Sequence, residues 1–260
     1  AGDGSVMGWM YLDEEATATA GANRYDVYVA GEGGVAAHAD STHFFYVFKS
    51  LKEIRGVENF HTGNVKSFYF WFGNCNELET VDLRYFDTSS ATSFELFFYA
   101  CFKLKEIDAS SWNTSNVKTI KNMFQRCYAL ESANLGGWDT RNVTTMYGLF
   151  DMNPHAGNPV YSLKNVNLSG WDTSNVTTME NMFRNCENLK ELDLSSFNTS
   201  KVTTMRFMFY YCKNLKNIYA GEGWTTEAIS NINDGVFNCC YALVGQKDNQ
   251  EENILIYNEK

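Results

Sequence analysis

Six of the seven cysteines stand in register. Cys75, Cys101, Cys127, Cys186, Cys212 and Cys240 each follow a phenylalanine by three residues. Recurring thiols can bridge, ligate zinc, or pack as small apolar groups. Zinc is disfavoured because no C-x-x-C pair occurs. One thiol per unit at a fixed position reads as a ladder of free, buried side chains. Stacked units would hold equivalent Cα atoms about 5 Å apart, close enough for a bridge, but parallel side-chain directions work against one. Cys239 lies outside the register and is expected to be the most exposed thiol.

The other chemistry-bearing residues form no constellation. His38, His43, His61 and His155 match no H-E-x-x-H pattern, and no G-x-S-x-G, P-loop or dinucleotide fingerprint is present. Asp87, Asp139 and Asp172 recur at one place in the repeat and could bind calcium, but other units place His61, Asn113 and Asn198 there. A hard-cation site wants several converging charged oxygens, so capping explains the column better. No catalytic residue, metal site or cofactor is expected, and the chain reads as a non-enzyme.

The elements that hold these residues follow from a repeat. Leu78 to Leu104, Leu104 to Leu130, Leu163 to Leu189 and Leu189 to Leu215 are each 26 residues. Leu130 to Leu163 is longer, with an insertion near residues 153–159 that holds both prolines. About seven such units span residues 45–243, after an N-terminal capping segment (1–44) and before a C-terminal cap or tail (244–260). Tyr25, Val27 and Val29 alternate as in a strand covering the first coil.

Each unit opens strand-like, as in Leu192-Asp193-Leu194. Its second half places Val176, Met179, Met182, Phe183 and Cys186 on what would be one face of a helix. Asp172-Thr-Ser-Asn175 between them reads as strand exit and helix N-cap. The expected fold is an α/β solenoid of leucine-rich-repeat type, a right-handed coil with a parallel sheet on one side and short helices on the other. Phe60, Phe86, Trp112, Trp138, Trp171, Phe197 and Trp224 would form a stacked spine, or else an exposed strip for carbohydrate.

The run from Trp171 to Cys186, W-D-T-S-N-V-T-T-M-E-N-M-F-R-N-C, resembles the repeat of the BspA-like leucine-rich-repeat bacterial surface proteins, a variant also found in mycoplasma surface lipoproteins. The resemblance covers roughly residues 45–243. It implies an extracellular place on a bacterial surface and adhesive roles toward a host or neighbouring cell. It names no ligand.

A formal net charge of -10 argues against nucleic acid and anionic membranes as partners. No apolar run is long enough to span a bilayer, so direct membrane insertion is not expected, and the opening residues carry neither the basic nor the apolar region of a leader. That leaves a protein or glycan ligand, or the alternative of a structural spacer projecting another domain. Strand side chains that do not point inward would line a concave sheet. Glu106, Asp108, Asn134, Asn167, Glu191, Asp193 and Tyr219 from those columns are the candidate binding residues, suited to a basic or hydrogen-bonding partner. Tyr69, Phe70, Tyr99, Phe102, Tyr210 and Tyr211 exceed what the core pattern needs and offer a rival surface.

Overall fold

The computed structural model describes residues 34–154, 160–230 and 235–243, together with the backbone of 7–12 and 25–30. Strands β1 (Met7–Leu12) and β2 (Tyr25–Ala30) pair antiparallel. The strand expected at Tyr25 therefore forms, with Met7–Leu12 as its partner. The remainder of the fold is parallel. β3 (Val35–Ala36) pairs with β4 (Phe60–His61); β5 (Glu106–Asp108), β6 (Ser132–Asn134) and β7 (Asn165–Asn167) make one sheet; β8 (Glu191–Leu194) and β9 (Asn217–Ala220) make another. A second ladder of parallel bridges runs Asp40, Ser67, Ser93, Thr119, Thr145, Thr178, Thr204 and counts seven coils. The chain is a parallel β-solenoid.

The expected helices are absent from the described residues, where only the two short 3-10 turns Val57–Asn59 and Leu83–Tyr85 occur. The segment from 179 to 186 shows why. An α-helix bonds each N–H to the carbonyl four residues back. Here Met182 bonds Met179, Arg184 bonds Asn181 and Cys186 bonds Phe183, all three back. The residues between them, Asn181, Phe183 and Asn185, give their N–H groups to Arg206, Met208 and Tyr210 of the next coil, at 2.7–2.9 Å. The segment is thus a run of β-turns laced to its neighbour.

Asn181 and Asn185 have φ of 58° and 62°, the left-handed region that the third residue of a type II turn requires. Asn122, Arg126, Gly148, Leu96, Phe207 and Tyr211 hold the same places in other coils with φ between 54° and 64°. Successive turns bring a residue inward every three or four positions, so the apolar spacing mimics that of a helix. The D-T-S-N box caps no helix either. Asp172 accepts from the Ser174 N–H at 2.9 Å, as Asn113 does from Ser115 and Asn198 from Ser200, which is an Asx turn.

The core fills the coil interior with columns. Phe45, Phe72, Phe98, Phe124, Phe150, Phe183, Phe209 and Phe237 stack with centroids 5.1–5.7 Å apart and planes within 15°. Each such pair adds roughly 0.5–1.5 kcal/mol beyond its buried area. Trp112, Trp138, Trp171 and Phe197 form a second stack at 5.8–6.3 Å, all buried, so this column is a spine and not a carbohydrate strip. Each indole N–H meets a carbonyl of the preceding coil: Trp112 to Leu83, Trp138 to Ala109 and Trp171 to Leu135, at 2.8–3.1 Å. Buried Thr88, Thr114, Thr140, Thr173 and Thr199 send their hydroxyls to the following coil's backbone at 2.6–3.1 Å. The indole and threonine polar atoms that enter this core are each partnered by a neighbouring coil, which offsets the cost of burying them.

Candidate binding surface

The strand side presents its alternate residues to solvent. In β5 and β8, Ile107 and Leu192 are buried, while Glu106, Asp108, Glu191 and Asp193 are exposed. Asn167 is also exposed, and Asn134 and Tyr219 are half-buried. The parallel register sets Glu106 beside Ser132 and Asn165, Asp108 beside Asn134 and Asn167, and Glu191 and Asp193 beside Asn217 and Tyr219. Two columns therefore form, broken into a three-strand and a two-strand group.

The second column has a structural duty that the sequence did not announce. Asp108, Asn134, Asn167 and Asp193 each accept the N–H two residues on, turning the chain out of the strand, at 3.0–3.4 Å. The Asn134 amide also donates to the Asp108 carboxylate at 3.1 Å, and the Asn167 amide donates to the Asn134 oxygen at 2.9 Å. Bonds from Ser110, first its hydroxyl and then its N–H, hold the Asp108 carboxyl below its usual range. One edge of this row is spoken for; its outer lone pairs face solvent.

Beside it runs a column of alternating charge, with Lys105 on Glu79 and Lys164 on Glu131, both at 2.7 Å and exposed. Such pairs contribute little to stability and mainly fix which side chain stands where.

The turn side carries the surplus aromatics, half-buried, with cations laid against them. Arg126 sits 5.6 Å over the Tyr99 ring and donates to its hydroxyl at 2.8 Å. Arg184 lies within 5.6 Å of both Phe207 and Tyr210, and Lys213 covers Tyr211 at 4.7 Å. Phe70 packs on Tyr69, Tyr99 and His43, and Phe102 stacks on Tyr128 at 5.3 Å. Much of the aromatic surface read as free is therefore taken by ring and cation neighbours. Buried Asp151, whose carboxyl is pushed up by burial, accepts from Gln125 at 2.8 Å and from the Asn153 N–H at 3.0 Å at the foot of the insertion. Residues 155–159 of that insertion, His155 among them, lie outside the described residues.

Each register thiol is free and buried, donating to the phenylalanine carbonyl of the coil before: Cys101 to Phe72, Cys127 to Phe98, Cys186 to Phe150 and Cys212 to Phe183, at 3.1–3.3 Å. Desolvation raises all six; Cys75 and Cys240 are pushed up to about 12. A thiol held protonated at neutral pH is a poor nucleophile and a poor metal ligand. Cys239 alone is half-exposed. The box carboxylates serve turns: Asp87 and Asp172 bond their second-following serines, and Asp139 pairs with Arg141 at 2.7 Å. Among the described residues no three His, Cys, Asp or Glu side chains are placed to hold a metal, and no helix is long and apolar enough to cross a membrane.

These features define a repeat protein of stacked β-coils, with ordered polar columns outside and a closed, chemically inert interior. The chain belongs to the family described as Mycoplasma protein of unknown function, DUF285, which matches residues 42–162 and 133–244. That match bears out the resemblance to the BspA-like repeat. Among solved structures, the chain is similar to a leucine rich cell surface protein from Faecalibacterium prausnitzii A2-165, at 15% identity over 78% of this chain and 67% of the other, with a TM-score of 0.32. No curated protein matches it.

Proposed function

We propose that the chain is a non-enzymatic binding and adhesion module of a bacterial cell surface, recognising a protein or glycan of a host or neighbouring cell. Residues 1–44 and 244–260 would flank the array as caps. The observation that carries the reading is the strand face. Glu106, Asp108, Asn134, Asn167, Glu191, Asp193 and Tyr219 stand at fixed spacing on strands whose inward residues are locked in the core. Side chains already ordered lose little further freedom on binding. Their acidic and amide character suits a basic or hydrogen-bonding partner, with contacts that weaken as salt rises. The spacer alternative draws support from the same rigidity.

The test is to screen the purified chain against host matrix proteins and a glycan array, then compare D108K/D193K with Y99A/Y210A on any basic or uncharged ligand found. Loss in the first pair and retention in the second is expected. Binding that survives the reversals but dies with the tyrosine changes moves the site to the turn side. Binding to nothing at micromolar concentration favours the spacer.

A further inference from the structure

A third surface lies between the box and the turn side. Its two outward columns are Asn64, Ser90, Asn116, Asn142, Asn175, Lys201 and Lys66, Thr92, Lys118, Thr144, Thr177, Thr203. The second column is tied coil to coil through its backbone, each N–H donating to the preceding member's carbonyl from Thr92 to Thr203 at 2.8–3.2 Å. In a chain with ten more acids than bases, neither column holds a carboxylate. Among the described residues Lys66, Lys118 and Lys201 have no acidic partner. Of the neighbouring acids, Asp87, Asp139 and Asp172 are bound to the turns described above, and Asp40, whose backbone bridges Ser67, stands one residue past Ala39.

The side-chain bonding adds to the charge. Asn116, Asn142 and Asn175 each give one amide hydrogen to the backbone of the coil before, at 2.7–2.9 Å, and keep the other. Thr92, Thr177 and Thr203 likewise donate their hydroxyl protons inward, at 2.9–3.1 Å. What remains outward is a grid of amide and hydroxyl oxygens with one N–H per asparagine, the Asn175 oxygen taken by Lys201 at 2.7 Å, repeated at the strand spacing of about 4.8 Å. Such a grid suits sugar hydroxyls, which both donate and accept.

The lysines add sparse positive charge. Lys66 and Lys118 are two coils apart, about 9.6 Å at that spacing, roughly one disaccharide. A single nucleic-acid strand carries a phosphate about every 3.4 Å and offers few donors, so it fits neither the charge density nor the acceptors.

At the N-terminal end the face hollows into an open cavity of about 500 Å³, lined by His38, Asn64, Lys66, Ser90 and the alanines at 36, 37 and 39. None of its described lining residues is acidic. Ala39, whose carbonyl takes the Lys66 N–H, heads the lysine and threonine column with a side chain too short to fill the space. His38 uses Nδ1 to accept from the Asp40 N–H at 3.2 Å, which leaves Nε2 for a ligand.

We infer that this face binds a linear acidic polysaccharide, laid along the coil axis with one charged sugar seated between His38 and Lys66. The site is separate from the strand face, so either reading can fail alone.

The experiment titrates the full chain with hyaluronan and heparin fragments, and with neutral dextran, oligo-dT and inorganic phosphate. Binding of the acidic glycans is expected, with dextran and oligo-dT inert. K66Q/K118Q should weaken it at least tenfold, K66R/K118R should retain it, and S90D, which sets a carboxylate in the hollow, should weaken it as K66Q/K118Q does. D108N/D193N should leave it within twofold. The inference is overturned if K66Q/K118Q binds as the parent does, if D108N/D193N costs as much, if oligo-dT or phosphate alone binds, or if no acidic glycan binds.

Discussion

Raising the pH from 8 to 10 should unfold this protein through its thiols. The six register cysteines are protonated in the fold, each with its carbonyl partner and no water, and their pKa values are displaced upward from 9.0. In the unfolded chain they titrate normally. A group whose folded pKa is raised contributes stability that is complete below the unfolded pKa and is lost as pH climbs toward the folded one. The window therefore opens near pH 9 and closes near or above pH 12, where Cys75 and Cys240 ionise even when folded. With the unfolded thiol at 9.0, the loss between pH 8 and pH 10 is about 1.3 kcal/mol per cysteine, or about 8 kcal/mol for all six. That is comparable to the whole stability of an ordinary domain.

Urea unfolding at pH 8, 9 and 10 under a reductant measures the loss. C127A/C186A should be less stable at pH 8 because two packed sulfurs are gone, yet its loss between pH 8 and 10 should be smaller by about 2.6 kcal/mol. An unchanged loss in that variant would refute the reasoning. So would fast reaction of more than one thiol, beyond the half-exposed Cys239, with a thiol reagent in the native protein at pH 8.

Four other substitutions probe the packing. Phe183→Ala should cost roughly 3–5 kcal/mol, because it breaks the ring stack and leaves a cavity, whereas Glu180→Ala, at the rim 4.0 Å from Arg206, should cost well under 1 kcal/mol; equal urea midpoints would mean the inward face is misassigned. Thr173→Val keeps the shape but removes a hydroxyl that donates to the Asn198 carbonyl and accepts the Asn198 N–H, both at 2.8 Å, and should cost about 1–3 kcal/mol by denaturant titration. Gly148→Ala should cost about 1–2 kcal/mol from its φ of 61° alone, and more because a Cβ there would stand 2.1 Å from the Asn122 side-chain oxygen; a neutral thermal shift would show that the turn rearranges.

The coils were legible because the repeat forces it. Residues 26 apart occupy equivalent places, so Leu78, Leu104 and Leu130, or Cys101 and Cys127, had to align in columns. The helices were not, because spacing reports which residues turn inward and not which backbone carries them there. Met179, Met182, Phe183 and Cys186 satisfy a helix and a chain of β-turns equally. The discriminating signal was the residue type at 122, 148, 181 and 185, Asn or Gly, which tolerate a left-handed φ. The strand-face candidates were legible as exposed alternates. The bonds that tie Asp108, Asn134 and Asn167 across coils were not, since they depend on register between strands. The carboxylate-free face was present in the sequence as two acid-free columns and was passed over, because no single residue in it suggests chemistry.

The stack from Phe45 to Phe237 also shapes how this chain can change over generations. Apart from the long unit with Asn153 in the thiol's place, each coil offers the next the same ring, the same carbonyl for a thiol and the same threonine bond, so these junctions are chemically alike. Unequal recombination between repeats, in whole 26-residue steps, adds or deletes a coil and rebuilds an equivalent interface. The core thus permits variation in array length, while outward columns such as Lys66 to Thr203 diversify with no demand on the interior. Length and surface can therefore be selected separately.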